Sequence, residues 1–494
     1  MTIQDLWTLS PLLVLSLASV IIMLMIAVRR NHALIATGAF CACVLSLATL
    51  PALMRVIPRS VTPLLVVDGY AVLYIGMLLA ATAIVIPLSY GYLERRDADR
   101  EQCEEFYVLL LLATLGGLVL VTAAHAASFF LGFEILGVSL YCLIGYLRLQ
   151  RHPLEAAVKY LVLSASASAF LLIGLAILYF QAGSMEFRNL AAENGLSGSS
   201  LWLAGLVLIV VALGFKLGLV PFHLWIADVY QGAPAPVTAY VATVSKGAVF
   251  GLLLRLMHEF GALRLENVEL LFGTLAAASM IVGNVLALLQ RNVKRLLAYS
   301  SIAHFGYLLV AFLASGALAA EAVTIYLVAY FITTLGAFGV VTAVSDHEGD
   351  ADSIERYRGL FWLHPWLGGT FVLMLLSLAG IPLTAGFIGK FYAIAAGVSA
   401  QLWILVVLLA LNSAVGVYYY LRVIVAMFDS SGPSKPEFWR RAPISADRQW
   451  AIRGPLGVVL LLLLLLGLYP QPLIQLIGFM FEVSSGGHTA QASF

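Results

Sequence analysis

The chain has 494 residues, of which 62% are hydrophobic and 11% charged, with a formal net charge of +1; a water-soluble domain carries roughly a quarter charged residues. A soluble globular protein is excluded, and the near-neutral balance without a basic block gives no nucleic-acid partner. Four cysteines without CxxC or Cys/His ligand spacing provide neither a disulfide framework nor a metal site, so no cofactor is expected on this chain.

Apolar runs long enough to span a bilayer, about 20 residues each, recur along the whole length. Cutting at polar or turn-forming loops predicts helices over 9–28, 33–54, 70–92, 107–124, 126–147, 154–182, 201–226, 234–257, 268–290, 295–316, 320–345, 359–398, 402–427 and 454–480. The fold class is therefore an all-α polytopic membrane protein of about fourteen spans. The first run has Arg29-Arg30 after it and no cation before it, the reverse of a secretory signal, and is expected to remain as a first span with its N-terminus outside.

Lysine and arginine are retained on the cytoplasmic side. The odd-numbered loops hold seventeen of them: Arg29, Arg30, Arg95, Arg96, Arg100, Arg148, Arg151, Arg291, Lys294, Arg295, Arg356, Arg358, Lys435, Arg440, Arg441, Arg448 and Arg453. The even-numbered loops hold four, Arg55, Arg59, Arg188 and Arg264. This split is expected to put both termini outside, opposite the cytoplasmic loops. The acidic loop Asp346 to Glu355 reads as solvated, and the run Leu460–Leu466 as lipid-facing.

Six cations fall within the spans: Lys159, Lys216, Lys246, Arg255, Lys390 and Arg422. Arg255 and Arg422 lie near helix ends, where long side chains snorkel to the headgroups. Lys159 lies about 9 Å along its helix, with Glu155 one turn before it in the favourable order; a structural salt bridge and a proton-handling pair both fit. Glu134, Lys216, Lys246 and Lys390 lie about 12 Å or more from either helix end. Charge at mid-membrane costs at least about 2.5–3.5 kcal/mol and marks ion pathways by default. Three cations and one anion cannot all pair off, which disfavours a purely structural ion pair and favours a proton relay.

Span 7 reads LGFKLGLVPFHLW and span 12 reads SLAGIPLTAGFIGKFY, with Pro221 and Pro382 among glycines. Proline inside a helix removes a hydrogen bond and clashes one turn back, so both spans are expected to break there, each with a lysine nearby. Matching breaks in two halves mark inverted-repeat transporters. Spans 4–8 and 9–13 give two inverted five-helix repeats, dividing the chain into 1–106 (three helices), 107–257 and 258–427 (half-channels), and 428–494 (cytoplasmic loop and last helix). His223 follows the first break and His304 lies in YSSIAHFGY beside Ser300, Ser301 and Tyr307; each suits proton passage, a neutral hydrogen-bonded role suits His304 equally, and for His223 that neutral role is the favoured one.

The runs GFKLGLVPFHLWIADVYQGAPAPVTAYVATVSKGAVFG, RNVKRLLAYSSIAHFGYLL and LSLAGIPLTAGFIGKFY closely resemble the antiporter-like, proton-channel membrane subunits of bacterial respiratory complex I, the NADH-quinone oxidoreductase. RRNHALIATGAF and EAAVKYLVLSASASAFLL extend the resemblance over nearly the whole chain, and the QGAPAPV loop favours one branch of that family. The resemblance implies a proton channel driven by remote electron transfer. Glu134 would pair with Lys216, Lys246 would connect them to Lys390, and Lys390 would lead outward. Asp228, in the WIADVYQG loop, matches a common acidic position. Flavin, iron–sulfur clusters and quinone would belong to partner subunits. Partners would be other membrane subunits, paralogous antiporter-like ones included, and through them the peripheral NADH-oxidising arm. The alternatives are a subunit of a multi-subunit Na+/H+ antiporter, a stand-alone solute carrier, and a structural spacer within the complex.

Overall fold

The computed structural model describes residues 2–95, 103–148, 150–190, 199–261, 263, 265–314, 317–346, 349–429 and 450–491. Of the expected loop cations, Arg96, Arg100, Arg264, Lys435, Arg440, Arg441 and Arg448 lie outside the described residues.

In hydrocarbon every backbone polar group must be satisfied within the chain, which leaves helices as the economical solution. They run α1 Ser10–Val28, α2 His32–Leu53, α3 Gly69–Leu93, α4 Glu105–Thr122, α5 Ala126–Ile144, α6 Arg151–Ala182 and α7 Ser200–Leu217. There follow α8 Leu224–Gly232, α9 Ala235–Phe260, α10 Glu266–Leu288, α11 Val293–Leu313 and α12 Ala317–Val344. The chain continues with α13 Pro365–Ala379, α14 Ala385–Ser399, α15 Trp403–Phe428, α16 Trp450–Leu468 and α17 Gln471–Gln491. Among the described residues thirteen helices are long and apolar enough to cross a membrane. The two shorter ones, α13 and α14, are the halves of span 12, so the expected fourteen spans are present. Polar caps start several helices: Asn31, Asp68 and Asn292 each accept a hydrogen bond from a backbone N–H of the first turn.

Loop contacts sort the helix ends into two sets. Arg30 bonds Glu105 at 2.6 Å, Arg95 donates to Ala343 O at 2.8 Å, and Lys294 bonds Asp350 at 2.5 Å. These join odd-numbered loops to one another. At the other end Arg59 bonds Asp5 at 2.7 Å, Ala124 N donates to Leu64 O at 3.0 Å, and Ala126 N donates to Met185 O at 2.8 Å. There the antiparallel hairpin β1 (Arg59–Val61) and β2 (Leu65–Val67) closes the loop between α2 and α3. Ser484 of α17 accepts from Tyr70 N at 2.9 Å at this same end.

Four expectations change. The last span is not one helix over 454–480: α16 stops at Leu468, and Pro470 and Pro472 suit only the first turn of a new helix, α17. The acidic loop folds inward: Asp350 accepts from Tyr92 Oη at 2.7 Å, Asp352 accepts from Asn292 Nδ2 at 3.0 Å, and Ala351 is fully buried; Asp346, Gly349 and Asp350 frame it, while 347 and 348 lie outside the described residues. Burial pushes the Asp352 carboxyl upward. Arg255 and Arg422 do not snorkel. Arg255 is buried against Asp68 at 2.8 and 3.1 Å, and Arg422 turns to the carbonyls of Leu288 and Gln290 at the end of α10, where a cation is favoured. In the leucine run, Leu463 is fully buried while Leu461 and Leu465 are exposed, so one face packs on protein.

Candidate functional site

The two breaks are built alike, by glycine rather than by proline. α7 ends at Gly218 (φ +73°) and α13 at Gly380 (φ +84°), the left-handed conformation that glycine adopts without steric cost. In both, the next residue bonds back across the end: Leu219 N to Gly214 O at 2.8 Å, and Ile381 N to Leu376 O at 3.0 Å. This is the Schellman closure. Pro221 and Pro382 sit in the turns that follow, where they prevent the helix from resuming. A Cβ at Gly218 would lie 1.7 Å from Ile226 Cδ1, and one at Gly380 2.7 Å from Lys390 Cδ. Gly218→Ala and Gly380→Ala are therefore each expected to destabilise the protein by at least about 1–3 kcal/mol from backbone strain alone. Thermal unfolding in detergent measures this, with Gly454→Ala, inside α16 where a Cβ meets nothing within 4 Å, as the control that is expected not to destabilise.

Lys216 stands on the last turn of α7, 1% exposed. Its Nζ donates to Tyr160 Oη on α6 at 3.2 Å and lies 4.8 Å from the Phe133 ring centre. A Cβ on Gly137 of α5 would come within 3.0 Å of that nitrogen, so glycine there leaves room for the amine. Glu134 lies about 4.5 Å farther along α5 and accepts from Ser168 Oγ at 2.5 Å. The pair implied by the resemblance is thus near but not in contact: Glu134 rests on Ser168 and Lys216 on Tyr160. Tyr141, which donates to Ser164 Oγ at 2.9 Å, stacks edge-on against Tyr160 beside them.

Lys246 is fully buried. Just before it α9 widens into a π-helical segment, Val241–Ser245, a feature frequent at functional sites. Its Nζ donates to Ser301 Oγ on α11 at 2.5 Å and faces Phe305 at 4.8 Å and Tyr230 at 5.7 Å. A Cβ on Gly218 would stand 3.7 Å away, so this lysine adjoins the first break. One turn past Ser301, His304 bonds Tyr326 Oη at 2.8 Å and Tyr420 Oη at 3.2 Å. It borders a cavity of about 10 Å³, shared with Tyr330, Thr333 and Ser377, roughly the room one water needs.

Lys390, 6% exposed, crosses the second break from α14. Its Nζ donates to Leu378 O at 2.9 Å, Ala379 O at 2.8 Å and Ser413 Oγ at 2.8 Å. The two carbonyls are the orphan acceptors at the end of α13, where the helix dipole favours a cation. The breaks are therefore not equivalent in detail, since Lys216 precedes its glycine and Lys390 follows its own.

Sequence reasoning placed the four central residues but not their hydroxyl partners, Tyr160, Ser168, Ser301 and Ser413. Ser301 was visible in YSSIAH, and Ser168 in the serine-alanine run of α6. Asp228 is on helix α8, not in a loop, and accepts from Lys159 at 2.8 Å and Arg295 at 2.9 Å. Lys159 is exposed and also bonds Glu155 at 2.8 Å. His223 lies half-buried in the turn before α8, its Nδ1 without a hydrogen-bond partner among the described residues. Among the described residues no group of three His, Cys, Asp or Glu could hold a metal ion.

Residues 123–416 match the family described as NADH:quinone oxidoreductase/Mrp antiporter, TM. NADH-quinone oxidoreductase subunit N of Ectopseudomonas mendocina (strain ymp) is 49% identical over 483 residues, 96% of each chain. A chain of respiratory complex I from Thermus thermophilus with bound aureothin superposes with a TM-score of 0.79 at 35% identity, covering 94% of this chain and 98% of that one. A chain of the Mrp complex from Dietzia sp. DQ12-45-1b shares the fold, with a TM-score of 0.85 at 21% identity over 100% and 99% of the two chains.

Proposed function

The chain belongs to the transmembrane family of NADH:quinone oxidoreductase and Mrp antiporter subunits, and from that membership we propose that Glu134, Lys216, Lys246 and Lys390 are its proton relay. It is a multi-pass, proton-translocating membrane subunit of a respiratory NADH:quinone oxidoreductase, assembled with other membrane subunits. Residues 107–257 and 258–427 are the two half-channels, His304 bridges them, and both termini face the periplasm, the side opposite the cation-rich loops. Flavin, iron–sulfur clusters and quinone reside in partner subunits.

The observation that carries this reading is the company of the three lysines. Buried charges are ordinarily paired with opposite charges, yet Lys216, Lys246 and Lys390 contact hydroxyls, carbonyls and aromatic faces. Such groups can gain and lose a proton without leaving a counter-ion stranded. An ionised Glu134 stabilises a proton on Lys216 from a short distance. When a redox event in the partner arm weakens that field, the proton passes to Lys246, across the His304 region to Lys390, and out. Uptake from the cytoplasmic side resets Lys216. Lys159, with Glu155 and Asp228, serves as a surface ion network rather than as a carrier.

Lys246→Ala tests the bridge between the halves. In proteoliposomes of the assembled complex, NADH-driven quinone reduction is expected to persist while protons moved per electron fall; full pumping removes Lys246 from the path. Sodium/proton exchange that continues without NADH would replace this reading with the antiporter one.

A further inference from the structure

The relay uses charges at mid-membrane, but a second set of buried charges lies at the start of α11. Lys294 is 0% exposed, although its place beside Arg291 and Arg295 reads as a loop cation. Its Nζ donates to Gln231 O at 2.9 Å, Ala233 O at 2.7 Å and Asp350 Oδ2 at 2.5 Å. An ammonium held by a carboxylate and two carbonyls is satisfied as a cation, and stripping one partner from it is costly. The adjacent Arg295 donates to Asp228 Oδ1 at 2.9 Å and Gln231 Oε1 at 3.1 Å. Both side chains thus grip the carbonyl end of α8, where cations are favoured.

The consequence lies in what α8 carries. Tyr230 turns its ring to Lys246 Nζ at 5.7 Å and its hydroxyl to Ser301 Oγ at 3.4 Å. Ile226 closes under Gly218 at the break. Lys246 therefore takes its hydroxyl partner Ser301 and its nearer ring, Phe305, from α11 and its second ring, Tyr230, from α8, and the register of those two helices decides whether all three arrive. Ser301 stands six residues, about 9 Å, beyond Arg295 on α11. We propose that Lys294 and Arg295 are positioning residues for proton transfer through Lys246, clamping α8 of the first half to α11 of the second so that Tyr230 and Ser301 stay on its amine.

This rests on the relay reading, and the test separates the two. Arg295→Met, Arg295→Lys and Lys294→Met are compared with Lys246→Ala in proteoliposomes of the intact complex, reading assembly, quinone reduction and protons per electron. Arg295→Met and Lys294→Met are expected to lower proton flux through this subunit by about twofold or more, the scale on which residues of a coupled network act, and so to lower the proton-to-electron ratio by at least half of what Lys246→Ala removes. Arg295→Lys, whose ammonium can still reach Asp228, is expected to restore it, which a bulk packing role for the guanidinium would not give. Full pumping by assembled Arg295→Met, or failure of Arg295→Lys to recover, overturns the clamp. If Lys294→Met does not assemble, the Arg295 pair decides alone. Full pumping by Lys246→Ala overturns the relay reading instead.

Discussion

Lys216→Ala is expected to stop proton movement through this subunit while the complex still assembles and still reduces quinone. Among the described residues the side chain makes one hydrogen bond, to Tyr160 Oη, while Glu134 keeps its own partner in Ser168, so its removal breaks no direct ion pair. What is lost is the titratable group. A positioned proton-transfer group contributes roughly 10²–10⁴ in rate, so flux through this channel should fall by about a hundredfold or more, and the proton-to-electron ratio by this subunit's share. Lys216→Arg sharpens the point, because guanidinium keeps the charge but cannot be deprotonated in a protein. It is expected to fail as fully as alanine. Pumping by Lys216→Arg, or collapse of assembly in Lys216→Ala, would assign Lys216 to structure rather than to the relay.

The contrast between residues that could and could not be found in the sequence has a physical origin. Lys216, Lys246, Lys390 and Glu134 were legible because charge in an apolar run costs enough to need a reason. The breaks were legible from their glycines and prolines, although the glycine closes the helix and the proline only follows. Tyr160, Ser168 and Ser413 do not stand out in the sequence, because a hydroxyl carries no charge that needs a reason, and a serine or threonine hydroxyl bonds its own helix backbone readily, as Thr82 does with Leu78 O. The π segment before Lys246 has no composition of its own. Lys294 reads as a loop cation because its burial depends on α8 and on Asp350, which is 56 residues away. Arg255 reads as snorkelling for the same reason, since its partner Asp68 lies 187 residues earlier.

Arg255→Met is expected to give the opposite signature to Lys216→Ala: loss of assembly, with coupling intact in whatever assembles. Arg255 is 7% exposed on α9 and joins that helix to the first three-helix segment through a two-point bond to Asp68 and the Tyr70 ring at 5.1 Å, and to α4 through a bond to Val121 O at 3.2 Å. Removing one member of a buried ion pair costs about 3–5 kcal/mol, because the other charge is left without a partner. That is a large fraction of a typical folding free energy of about 5–15 kcal/mol. Asp68 also caps α3, accepting from Ala71 N at 2.8 Å, so the compensating change must keep an acceptor there. Asparagine does so, and the double variant Arg255→Met/Asp68→Asn removes both charges while retaining the cap. It is expected to recover most of the thermal midpoint lost by Arg255→Met, since replacing a buried pair together is far less costly than breaking it. Arg255 lies nine residues, about 13 Å, beyond Lys246 on α9, too far to alter the partners of that amine. Hence a normal proton-to-electron ratio in the assembled fraction marks the pair as structural, whereas a lowered ratio at normal assembly would place it on the proton path.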